Sequence, residues 1–161
     1  MSVPPGDRKP SNVQFLATAE EIESRAMDVC RKWPKSWMFV LTTRTLALAS
    51  RIHEKAQDAN AIFPITTERE KEDRISNLQQ ALGATYGFAK KMELAFRKFP
   101  ICGEKKDMSP EAMQEKSGKI LEEFMILCAE EKASLSENIR YVRAIELDAK
   151  DAGDGPAETI N

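Results

Sequence analysis

Four interior prolines constrain this chain more than any other feature. Pro34, Pro64, Pro100 and Pro110 cut it into stretches free of proline, each with apolar residues at helical spacing. A proline ring clashes with the preceding helical turn and disfavours helical geometry at the residue before it. The prolines therefore mark breaks, and the stretches between them are the helices. With 161 residues the chain makes one domain. Two Tyr, two Trp and little Val or Ile alternation argue against strands.

The first helix is expected from Thr18, where Thr18 and Glu21 fit a capping box. Ile22, Ala26, Val29, Cys30 and Trp33 then share one face, and Pro34 ends it. A second helix is expected from Ser36 to about Asn60, with a stripe of Leu41, Thr45, Leu48, Ile52, Ala56 and Ala59. Trp37, Phe39, Val40 and Leu46 fall outside or beside that stripe, and a helix apolar on two sides must be covered on two sides. The third helix should start at Thr67 with Glu70 as capping partner and run to about Phe99 along Ile75, Leu78, Leu82, Tyr86, Ala89, Met92 and Phe96. Its opening, EREKEDR, reads as a solvated charged face. Ser109 and Pro110 read as N-cap and first residue of a fourth helix to about Leu147, with a seam of Met113, Leu121, Phe124, Cys128, Leu135, Ile139 and Val142. Its length exceeds that of the usual globular helix and leaves room for a kink or break near Glu130–Lys132. Met125 and Ile126 lie in a run, ILEEFMILC, that is again apolar on more sides than one neighbour covers.

These elements predict an all-α, up-down-up-down four-helix bundle over residues 15–147. Residues 1–14 are expected to form a disordered arm and residues 148–161 an acidic disordered tail. The surplus apolar residues, Trp37, Phe39, Val40, Leu46, Met125 and Ile126, are the candidate faces for a second subunit.

The chemistry of enzymes is sparse. His53 is the sole histidine, so a Ser–His–Asp set would have to use it, and the residue three before it is Ser50 rather than the Glu of a di-iron bundle. There is no phosphate-binding glycine motif. Cys30, Cys102 and Cys128 are odd in number and far apart, which suits thiols in a reducing cytoplasm better than disulfides or zinc. The acidic pairs Glu122–Glu123 and Glu130–Glu131 read as exposed charge. The expectation is a protein without catalysis, cofactor or metal. No apolar run reaches the roughly 20 residues of a membrane span, and the N-terminus lacks the apolar region of a signal peptide.

Charge is the remaining signal. The net of −2 conceals 18 basic against 13 acidic side chains in residues 1–106, and 6 against 13 in residues 107–161. Arg25, Arg31, Lys32, Lys35, Arg44, Arg51 and Lys55 concentrate on the first two helices and are the candidates for contact with a polyanion. Trp33 and Trp37 flank Pro34 and Lys35; a base-stacking role competes with a place in the core or in a subunit interface.

Lys32-Trp33-Pro34-Lys35, followed by Leu41 and Arg44 and then Ala59-Asn60, resembles the turn and second helix of the accessory variability determinant (Avd) proteins of diversity-generating retroelements. The resemblance covers about residues 15–145 and extends to the wider four-helix-bundle family encoded in ribosomal RNA intervening sequences. It implies a barrel-shaped homopentamer that associates with a reverse transcriptase and its template RNA, supports mutagenic retrohoming and is not itself catalytic. The alternative is a structural or regulatory bundle that binds protein partners only.

Overall fold

The computed structural model describes residues 12–98 and 108–147, and among these the chain is all helical with no strand. Four helices form a bundle: α1 (Asn12–Cys30), α2 (Thr43–Ala61), α3 (Glu68–Lys98) and α4 (Pro110–Arg143). Each of α1 and α3 packs against both α2 and α4. The expected arm 1–14 falls largely outside the described residues, as do the tail 148–161 and Cys102.

Helix α1 starts earlier than its capping signal. Thr18 lies inside the helix, because Phe15, Ala19, Ile22 and Ala26 repeat every three or four residues and are all fully buried. Burial of that stripe outweighs the local preference of threonine for a cap. Helix α1 ends at Cys30, before Pro34 is reached, and hydrogen-bonded turns over Lys32 and Trp33 lead to Pro34; the chain then runs through a short 3₁₀ segment (Lys35–Trp37) into a π-helical segment (Met38–Thr42) that leads into α2. Two hydroxyls tie this irregular turn down: Thr43 Oγ1 donates to the Met38 carbonyl at 2.7 Å and Thr45 Oγ1 to that of Leu41 at 2.8 Å.

The caps of the later helices follow sequence closely. The Glu70 backbone N–H donates to Thr67 Oγ1 at 3.1 Å, which makes Thr67 the N-cap of α3. The Glu70 carboxylate reaches back one residue further than a capping box requires, accepting from the N–H of Thr66 at 2.8 Å and from its hydroxyl. Ser109 caps α4 by accepting from the Ala112 N–H at 3.2 Å, and Pro110 opens the helix. Helix α4 runs unbroken through Glu130–Lys132 to Arg143, four residues short of the expected end. Between α2 and α3, Ile62 and Ile65 are half-buried, while Phe63 is exposed with the Arg74 guanidinium 6.0 Å from its ring.

Two charged residues expected on solvated faces are in the core. Arg74 is 2% exposed and Glu131 is 0% exposed. Arg74 occupies the series 74, 78, 81, 85, 88, 92 of buried α3 positions, and Glu131 the series 124, 128, 131, 135, 138, 142 of α4. The 3.6-residue period overrides the charge at both places. Arg74 Nη1 donates to the carbonyls of Ala59 at 2.8 Å and Ile62 at 3.1 Å, so it caps the C-terminus of α2, where helix carbonyls lack partners and the dipole is negative. Among the described residues neither carboxyl oxygen of Glu131 has a hydrogen-bond partner, and burial raises its pKa from 4.5 to about 8.

Candidate functional site

The basic residues singled out by sequence do not form one patch. Arg31, Lys32 and Lys35 stand together on the turn after α1, exposed and with no ion pair among the described residues. Arg25 is drawn to the other side of α1, where it meets Glu21 at 2.6 Å and Glu123 of α4 at 3.2 Å. Lys55 pairs with Asp58 at 3.1 Å, and Arg51 donates to Gln80 of α3 at 3.0 Å. Arg44 lines a groove between the start of α2 and the end of α3, facing Lys91 and Lys98. Sequence reasoning missed those two lysines, although their spacing of seven on one helix face was available to find them.

That groove measures about 570 Å³ and has an apolar floor of Trp37, Val40, Leu41 and Leu94. Trp37 packs edge-on against Trp33, with ring centroids 5.7 Å apart and planes at 71°. Trp33 is buried and Trp37 half-buried against the core, so packing takes the greater part of both rings. At the groove the π-helical segment winds more widely than an α-helix and leaves Phe39 and the groove-lining Val40 87% and 69% exposed.

The six residues proposed for subunit contact divide accordingly. Phe39, Val40 and, on α4, Ile126 at 51% are open to solvent. Trp37, Leu46 and Met125 are half-buried and pack against the core.

His53 joins α1 to α2. With the Glu23 carboxylate as acceptor, His53 Nδ1 donates to Oε2 at 2.5 Å and Ser50 Oγ to Oε1 at 2.7 Å. The Gln57 amide nitrogen lies 3.2 Å from His53 Nε2. Burial pushes the Glu23 carboxyl up, but the hydrogen bonds from Ser50 and His53 and the His53 charge outweigh it and hold it below its ordinary value. Ser50 gives its proton to Glu23 rather than to His53, so the trio lacks the nucleophile–base contact of a hydrolase. Cys30 and Cys128 are buried thiols; burial pushes Cys128 up to about 11, away from the reactive thiolate.

Among the described residues, no three His, Cys, Asp or Glu side chains are placed to hold a metal ion, and no helix is long and apolar enough to cross a membrane. No family model, no curated protein and no solved structure matches the chain.

Proposed function

We propose that this chain is a non-catalytic accessory module of the Avd-like kind, an up-down-up-down bundle that assembles into a homopentamer and docks a reverse transcriptase and its template RNA. The observation that carries the RNA-binding part is the turn after α1, where Arg31, Lys32 and Lys35 are exposed without a carboxylate partner. Unpaired cations followed in the chain by an exposed aromatic, Phe39, suit a phosphate backbone with an unstacked base next to it. The up-down order is supported by contacts that run in opposite directions along α3 and α4: Lys71 Nζ donates to the Ile145 carbonyl at 2.8 Å, whereas Phe88 meets the ring of Phe124.

The test is an RNA titration at several salt concentrations. The triple variant Arg31→Glu, Lys32→Glu, Lys35→Glu should melt at the wild-type temperature and lose most of its affinity. Its log–log salt slope should be shallower by about 2, since each single-strand phosphate contact contributes roughly 0.7. An unchanged slope in the triple variant would remove the turn from the RNA site.

A second reading, a bundle that binds protein partners alone, draws on a different observation. Phe39, Val40 and Ile126 expose apolar area that an RNA backbone does not use. Association with the reverse transcriptase that is insensitive to salt, together with no RNA binding at low salt, would favour it.

A further inference from the structure

Three cations surround the α2–α3 groove, and no carboxylate lines it. Arg44, Lys91 and Lys98 have no ion-pair partner among the described residues, and the floor between them is apolar. On α3 the order is cation, apolar, cation: Lys91, Leu94, Lys98, three and four residues apart. The outer face of α4 carries the reverse pattern. Glu122, Ile126 and Glu130 are exposed and four residues apart, and neither glutamate has an ion-pair partner. At 1.5 Å per residue the two cations of α3 are spaced by about 10 Å along their helix and the two anions of α4 by about 12 Å. Ala129 and Ala133, also exposed, leave the same face of α4 low enough to approach a groove.

We propose that the groove of one copy receives the outer face of α4 of a second copy, with Ile126 over Leu94 and Val40 and the two glutamates against Lys91, Lys98 and Arg44. This rests on the oligomeric part of the reading above and adds to it which faces meet. The two faces are different surfaces of one protomer, so the contact is head-to-tail rather than self-complementary. Each copy then offers a free groove and a free α4 face to the next, a contact that closes into a ring where the rotation between copies completes a circle and extends as a filament where it does not. Burying apolar area supplies the attraction, and the charges set the register and direction. The arginine and lysines of the groove are thereby engaged with protein, while Arg31, Lys32 and Lys35 stay outside the contact for RNA.

Charge exchange tests the pairing. Solution mass is measured by light scattering for the wild-type chain, for Lys91→Glu with Lys98→Glu, for Glu122→Lys with Glu130→Lys, and for all four changes together. All four positions lie on the surface of their helices, and thermal melts followed by circular dichroism check that each variant folds. The expected result is an assembled wild type, each one-sided reversal reduced to the 18.1 kDa chain, and the four-fold exchange restored to the wild-type mass. Assembly that survives either one-sided reversal overturns this docking mode and leaves an oligomer built on other faces. One-sided reversals that dissociate without rescue by the four-fold exchange overturn the pairing as well. A monomeric wild type overturns the docking mode and the oligomer together. RNA titration of the monomeric variants reads the adaptor proposal separately, since the turn cations are untouched.

Discussion

Glu131 is the residue with the largest electrostatic consequence. Its carboxyl is buried without a partner, and its pKa rises from 4.5 to about 8. Between those values the folded protein holds a proton that the unfolded chain has released. Folding therefore takes up a proton, and stability falls by about 1.4 kcal/mol per pH unit across that window. Glu131→Gln removes the ionisation. Chemical denaturation should find the variant close to wild type near pH 4.5 and more stable by roughly 3 kcal/mol at pH 7. A wild-type stability that stays level or rises from pH 5 to pH 8 would contradict the assignment. Arg74 acts in the opposite sense, as a buried charge that has work at the end of α2. Arg74→Met removes the guanidinium from the Ile62 carbonyl and from the Ala59 carbonyl, which keeps the Ile62 N–H at 3.3 Å, and should cost about 3 kcal/mol. Both residues were misread from sequence for one reason: EREKEDR and the Glu130–Glu131 pair look solvated by composition, whereas their positions in the 3.6-residue series are interior. Where composition and period disagreed here, period decided burial.

At the scale of the element, sequence was most legible where a proline or a cap marked a boundary. Ser109–Pro110 fall where α4 begins, Thr67 caps α3, and Pro34 follows the end of α1 at Cys30 by four residues. Thr67→Ala should lower stability by about 1 kcal/mol in a thermal or denaturant melt, with no effect on binding. The start of α1 was less legible because Thr18 and Glu21 mimic a cap inside a helix whose buried stripe continues back to Phe15. The π-helical segment Met38–Thr42 was not legible at all. The pattern set Phe39 and Val40 off the apolar stripe but carried no sign of the wider helical turn on which they are exposed. For the candidate site, the sequence revealed the basic bias of the first two helices but not how it divides. The Arg25–Glu123 pair and the groove formed by Arg44 with Lys91 and Lys98 depend on which helices become neighbours. Phe39→Ser, at a position without core contacts, should leave stability within about 0.5 kcal/mol of wild type. It should also weaken RNA binding, read in the same titration as the turn variants.

For the whole molecule, the basic first two thirds and acidic last third take on a spatial meaning. Unpaired cations lie on the turn and in the α2–α3 groove, and unpaired acids on the outer face of α4. In the proposed assembly, a chain of net charge −2 offers faces of opposite sign to its own copies and keeps a basic turn for a polyanion. Within one chain, α4 already packs on α1 and α3; under the docking mode proposed above, its outer face and the groove are covered by another copy. The proposed account depends on that assembly. Its most direct test is the absolute mass of the wild-type protein by light scattering on a size-exclusion column. The account predicts a single peak near five times the 18.1 kDa chain, about 90 kDa. A clean monomer at micromolar concentration would contradict it.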